Sequence, residues 1–392
     1  MSAERPTTTD RQGSGPGISA DLEERLDSAV EKLVAQPRVK QALVAIESMD
    51  QSIQWSSASA PRHSDYVPVR LDATFWIASV TKMFIASATL ILVERGSVKL
   101  DAPIGDYLPG SLIGGLHRLN GVDYTPAITV RHLLGHTSGL PDFLEGPGRG
   151  EPGLFDRVIA ADRRWTLEEI LQIVRGSLRP HFPPQPVDAP RQRARYSDTN
   201  FQLLIAIIEH ITGQHIGDAF QDLICRPLGL GNTFHPVHLD HNRTRPSPLW
   251  HDDQLVEIPL ALESFHDLFS TVDDLFVFMR ALMRGEVFAD LGTADLMTSR
   301  FNALSFALSP VAPSWPMQYG LGIMRYQLPR LFTPIKPVPA LIGHTGVSGS
   351  WLFFCPKLDL LLAGTVDQLS APDVPYRFLP GLVRMLDDHL AR

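Results

Sequence analysis

Hydrophobic and polar positions along the chain fall into three textures. From Ala20 to Ala35, residues Leu22, Leu26, Ala29, Val30 and Leu33 recur at helical spacing and predict an amphipathic helix. Val39–Glu47 and Ser52–Trp55 read as strands. Thr81–Glu94 reads as a long apolar helix terminated by Gly96. Between 97 and 300 the pattern alternates helices with loops, the helices falling at 130–134, 167–174, 201–211, 216–224 and 273–283. From Tyr319 onward the pattern turns to strands, among them 352–355 and 358–366, and it closes with a helix from Val374 to Ala391. Ends that carry strands and a middle that carries helices predict an α/β fold of the α+β type. An antiparallel sheet is flanked by N- and C-terminal helices, and an all-helical lobe is inserted. The expected parts are a disordered tail at 1–17, an α/β lobe from 18–78 and 317–392, and a mainly helical lobe at 79–316. A groove between lobes is where a binding site is expected. The proline-interrupted stretches His181–Arg195 and Ser305–Pro316 are placed to line or gate it.

Composition narrows the function. With 392 residues, 44% hydrophobic and 20% charged, the chain has the apolar material for a full core and the length for two lobes. A net charge of −8 without a basic stripe argues against nucleic acid as the main partner. Cys225 and Cys355 sit in apolar surroundings and read as buried thiols rather than a disulfide. Met1–Gly17 is polar and lacks the apolar core of a secretory signal, and no segment approaches a membrane span, so a cytoplasmic location is expected. The oligomeric state is open.

Candidate chemistry centres on Ser79-Val80-Thr81-Lys82. Residues three apart share a helix face, so Lys82 reaches back toward the Ser79 oxygen. A serine hydroxyl becomes a useful nucleophile when a neighbouring base takes its proton, and a lysine serves if burial and nearby positive charge lower its pKa. The same tetrapeptide also suits an N-cap serine followed by a surface lysine. Lys82 is one of six lysines, and no other S-x-x-K occurs.

Two further motifs separate these readings. Tyr196-Ser197-Asp198 precedes an apolar helix, and His344-Thr345-Gly346 precedes the run Trp351–Phe354. In order and spacing the three segments resemble the S-x-x-K, Y-x-N and K-T-G elements of the penicillin-recognising serine enzymes. The chain resembles the class C β-lactamase-like group, with its family VIII esterases, D-aminopeptidases, D-alanyl-D-alanine carboxypeptidases and acyltransferases. His136–Asp142, Arg226–Leu230, Ser270–Leu275 and Tyr319–Ile323 resemble the same group. The resemblance implies a β-lactamase/penicillin-binding-protein-like fold with Ser79 as nucleophile, Lys82 as its activator, and Tyr196 as a proton shuttle whose pKa Lys82 lowers. It also implies an oxyanion hole from the N–H groups of Ser79 and Val347, with Asp198, His344 and Gly346 contacting substrate.

Two positions depart from the β-lactamase pattern. Asp198 stands where asparagine is usual, and an ionised aspartate only accepts hydrogen bonds. His344 replaces lysine, and a neutral histidine is a weak anchor for a carboxylate. Both changes favour small esters or uncharged amides, and the leading expectation is a carboxylesterase acting through an acyl-enzyme. A D-amino-acid-specific peptidase or amidase is the alternative; an acyltransferase and a non-catalytic homologue are further readings. An α/β-hydrolase is disfavoured because no G-x-S-x-G occurs.

The remaining clusters carry competing readings. Arg191, Arg193 and Arg195 suit an anion site or a solvated loop. His235, His238, Asp240, His241 and His251 suggest a zinc site, but without a helical i, i+4 pair no metal is assigned, and no cofactor is expected. His136 is expected to fix a turn. Ala303–Pro316 and Leu328–Leu341 suit an acyl pocket or ordinary packing.

Overall fold

The helix and strand runs at the two chain ends meet in one sheet. The computed structural model describes residues 7–12, 18–61, 69–146, 151–239, 245–305, 314, 316–334 and 336–390. Nine antiparallel strands follow the order Thr7–Gln12, Gln54–Pro61, Ala42–Ser48, Leu360–Thr365, Trp351–Cys355, Leu341–Thr345, Met324–Tyr326, Gln318–Tyr319 and Asn302–Ala303. Register is set by pairs such as Ile46 with Leu362 and His344 with Leu352.

Burial explains the strand texture. Every residue of Leu360–Thr365 is buried, which requires cover on both faces of the sheet. Helix Val272–Arg284 covers strands 351–355 and 360–365. The terminal helices Ala20–Val34 and Val374–Leu390 pack on each other, with Phe378 against Trp351 at 6.0 Å between ring centroids. Helix Thr81–Glu94 is buried from Thr81 to Leu92 because the helices Asp198–Thr212 and Ile216–Phe220 enclose it beside the sheet. Its all-round apolar sequence matches that position.

Several expected boundaries move. Thr7–Gln12 is an edge strand in register with Ser56–Pro61, although the sequence assigns it to a disordered tail. Its polar residues give no apolar alternation to read, and backbone pairing carries the strand. The second strand begins at Gln54 and continues to Pro61. The sheet's far edge starts at Asn302, inside the segment expected to be helical, because a two-residue strand is too short to show a period. Helix 198–212 starts before Phe201 because Asp198–Asn200 already turn with it. No helix of the described residues is long and apolar enough to cross a membrane. Cys225 and Cys355 are buried free thiols.

Candidate active site

Ser79 lies on a single 3-10 turn, Ala78–Val80, between the short strand Phe75–Trp76 and helix 81–94. It is the one residue from Thr74 to Leu92 that is not buried. The turn is strained, with Ala78 at φ 46°, in the left-handed region that costs a side chain energy. Neighbouring chain holds it there. Ile77 N–H donates to Leu268 O (3.0 Å), Leu268 N–H donates to Thr81 Oγ1 (2.9 Å), and the hydroxyls of Ser348 and Ser350 donate to Trp76 O (2.9 Å) and Ile77 O (2.8 Å).

Lys82, one turn on, places Nζ 3.0 Å from Ser79 Oγ and forms an ion pair with Asp198. Its ammonium also sits over the rings of Tyr196 (5.2 Å) and Phe201 (5.4 Å). Burial pulls the Lys82 pKa down most strongly of any single influence. The carboxylates of Asp198 and Asp267 together outweigh it and leave the pKa above its ordinary value. Lys82 is therefore an ammonium that donates to Ser79, which corrects the expectation of a lysine base depressed by burial and positive charge.

Tyr196 is fixed by the turn that His136 opens. Arg195 N–H donates to His136 O (2.9 Å), Ser197 N–H to His136 Nδ1 (3.2 Å), and the hydroxyls of Ser197 and Thr199 to Pro141 O (2.9 and 2.7 Å). His136 itself is buried at φ 54°, its ring 4.5 Å from that of Tyr196, and its Nδ1 holds the Ser197 N–H at the turn. The Tyr196 hydroxyl is buried and has no hydrogen-bond partner among the described residues. Burial, then the Asp198 carboxylate, raises its pKa well above 10, while the nearby Ser79 hydroxyl pulls the other way. Tyr196 rests as a phenol. The net shift is upward, against the lowering by Lys82 that the resemblance implies.

The opposite wall is the end of strand 341–345 and the turn after it. A Cβ on Gly346 would lie 2.3 Å from Ser350 Oγ and 2.6 Å from Ile77 O, so only glycine lets this turn press against the Ser79 segment. Val347 is half-buried between buried neighbours. Among the described residues, neither Ser79 N–H nor Val347 N–H has a hydrogen-bond partner, which leaves both free for an oxyanion.

His344 does not serve the substrate contact expected of it. It is fully buried; its Nδ1 donates to Thr345 O (2.6 Å) and its Nε2 accepts from Tyr319 OH (3.0 Å). Burial, then the Lys82 charge, takes its pKa down to about 3. Both nitrogens are occupied and the ring is neutral.

Sequence reasoning missed three groups. Asp267, buried in front of the supporting Leu268, has its pKa pushed up to about 7 by burial, against the pull of Lys82. Asp142 is held well above the ordinary carboxylate range by burial and then by Asp198 and Glu145. Tyr319 packs against His136 at 4.4 Å and holds His344. Asp142 and Tyr319 stand at the ends of the family-like stretches His136–Asp142 and Tyr319–Ile323, which by themselves assign them no role, and Asp267 lies in no motif; long-range contacts bring all three to the site.

The other expectations divide. Arg195 pairs with Glu145 (3.0 Å) and Arg193 stacks on Phe182 (4.5 Å), so neither is a free anion anchor. Ser305 N–H donates to Ala194 O (2.8 Å), tying the loop before Tyr196 to the sheet edge, whereas 306–313 and 315 lie outside the described residues. Asp240 and His241 also lie outside them, and His251 stands apart on strand Leu249–His251 beside Asp252.

A mixed sheet-and-helix fold that carries Ser-x-x-Lys at a helix start, Tyr-x-Asp at another and His-Thr-Gly on a strand defines the class of β-lactamase-like enzymes. The chain belongs to the β-lactamase family, whose model matches residues 26–378. It is 31% identical over 221 residues to esterase EstB of Burkholderia gladioli, covering 54% of this chain. The match spans about half (51%) of that esterase's length. It is 25% identical over 320 residues to the D-alanyl-D-alanine-carboxypeptidase/endopeptidase AmpH of Escherichia coli strain K12, covering 80% of this chain and 74% of that protein. A crystal structure of a D-stereospecific amidohydrolase from Streptomyces superposes with a TM-score of 0.65 at 26% identity, covering 90% of this chain and 95% of the other. Family members include an esterase, a carboxypeptidase and an amidohydrolase, all hydrolases.

Proposed function

We propose that the protein is a serine hydrolase that forms an acyl-enzyme on Ser79 and acts on small esters. The observation that carries this reading is the local exposure of Ser79 in a wholly buried run, with Lys82 Nζ at 3.0 Å and the unpartnered Tyr196 hydroxyl beside it.

In this account the Lys82 ammonium stabilises negative charge on Ser79 Oγ, and Tyr196 relays the proton. Ser79 Oγ attacks the acyl carbon, its proton passes to the Tyr196 oxygen, and Tyr196 gives its own proton to the departing alkoxide. Water reverses the sequence: its proton goes to Tyr196, Tyr196 returns one to Ser79 Oγ, and the acid leaves. The N–H groups of Ser79 and Val347 receive the oxyanion at each tetrahedral stage. A relay needs no resting phenolate, which agrees with the raised Tyr196 pKa.

The acyl group is inferred to be uncharged or cationic. A substrate carboxylate meets no available cation, because His344 is neutral and Lys82 is already paired. The carboxylates of Asp198 and Asp267 beside Lys82 support a second reading, a D-amino-acid amidase whose substrate ammonium they would attract. Parallel turnover of p-nitrophenyl butyrate, D-phenylalanine amide and a penicillin tests this. Ester turnover well above amide turnover, with no stable penicillin adduct, is the expected result. Faster amide turnover would replace the esterase reading with the second.

A further inference from the structure

Three histidines from separate segments converge outside the Ser79 motifs. His215 caps helix Ile216–Phe220, His235 opens the turn Pro236–His238, and His266 follows helix Pro259–Phe265. One ring nitrogen from each lies within 4.8 Å of the other two. Ring centroids are 4.9 Å apart for His215 and His235, 5.5 Å for His235 and His266, and 5.8 Å for His215 and His266.

We propose that His215, His235 and His266 form a binding site for a divalent transition ion of the zinc type, with a fourth position left to water. Four observations support it. His235 is 1% exposed, and its Nε2 is buried without a hydrogen-bond partner; His266 Nδ1 is in the same condition. Unpartnered nitrogens in a buried cluster are what a metal would satisfy. Gly217 lies between the rings: a Cβ there would sit 2.9 Å from His235 Cβ and 3.2 Å from His215 Nδ1, so glycine permits the convergence. His266 holds φ 60° at a helix end, a conformation that glycine adopts without strain. His238 and Asp218, bonded to each other at 3.0 Å, add a polar pair from the same turn and helix.

Proton placement is the chemical requirement. In the unligated form Nδ1 of His215 and of His235 accepts the N–H of Gly217 and Val237 (3.1 Å each), which puts each ring proton on Nε2. Ligation through Nε2 moves that proton to Nδ1, so each ring must turn until Nδ1–H no longer faces the N–H of Gly217 or Val237, and those two backbone contacts are given up for metal bonds. His266 ligates through Nδ1 with its proton on Nε2. The next residues, Asp267 and Leu268, flank Lys82 and hold Ile77, so an ion here would brace the segment behind the Ser79 turn. The sequence-local cluster around His235 contained one ligand of the three; its partners come from far along the chain.

The test is calorimetric titration of the chelator-treated full chain with zinc chloride, paired with thermal melting. One ion per chain and a raised melting temperature are expected. His215→Ala and His266→Ala should each weaken binding by more than about tenfold, and His251→Ala should leave it unchanged. His215 is exposed, so its variant should fold even if the others do not. Binding absent from the wild type, or equal in wild type and His215→Ala, would overturn the site. Ester turnover plays no part in this readout, so its loss or survival leaves the Ser79 reading separate.

Discussion

The two walls of the Ser79 site treat charge in opposite ways. The helical wall holds Lys82 as an ammonium between Asp198 and Asp267, with Tyr196 and Phe201 against it. The sheet wall holds His344 neutral, its two nitrogens spent on Thr345 O and Tyr319 OH. One wall therefore supplies charge and proton transfer, and the other supplies shape and backbone donors. Among the described residues, the sheet wall's His344 is not a cation that could meet a substrate carboxylate, which supports the proposed uncharged ester substrate.

The comparison breaks most visibly at Tyr196. Tyr196→Phe should lower kcat by about 10²–10⁴-fold with little change in KM. The same change should leave the melting temperature nearly unchanged, because the ring stays packed against His136 and Tyr319. A variant as active as the wild type would remove the relay. Gly346→Ala tests the other wall. The added Cβ collides with Ser350 Oγ and Ile77 O, so stability should fall by about 1–3 kcal/mol and turnover with it, measured by denaturant unfolding and kinetics.

Asp198→Asn sharpens the charge assignment. Without that carboxylate, burial acts on Lys82 with less opposition, and its pKa falls. If the ammonium is the working form, the alkaline limb of the kcat/KM profile moves to lower pH. An unchanged limb would assign Lys82 another protonation state. The smallest effect concerns His344. Its folded pKa near 3 lies below the ordinary 6.5, so the neutral ring's contribution is complete above about 6.5 and is lost as pH falls toward 3. His344→Gln should remove up to one proton from that acid limb, about 1.4 kcal/mol per pH unit in unfolding free energy. His235, His266 and His181 keep the remainder of the slope.

The sequence made the charged wall's motifs legible and left most of the neutral wall's wiring hidden. Thr81–Glu94 is a helix with the boundaries its apolar run predicts, because uniform burial leaves a uniform pattern. Ser79, Lys82, Tyr196 and Asp198 converge because their motifs begin helices that pack together. Tyr319 lies on a two-residue strand with no period to detect, and Asp267 is a lone acid between apolar segments. The orientation of His344 depends on which neighbours bond its ring, and that is decided by strand pairing rather than by the tripeptide. The polar edge strand Thr7–Gln12 was lost to composition for the same reason: its partner, not its side chains, defines it.

The most direct test of the central claim is acid-quenched intact mass and peptide mapping of the wild type and Ser79→Ala after mixing with p-nitrophenyl butyrate. The account predicts a butyryl adduct on the peptide containing Ser79 in the wild type, with neither adduct nor p-nitrophenol release above background in Ser79→Ala at an unchanged melting temperature. An adduct on another residue, or ester turnover that survives in Ser79→Ala, would contradict it.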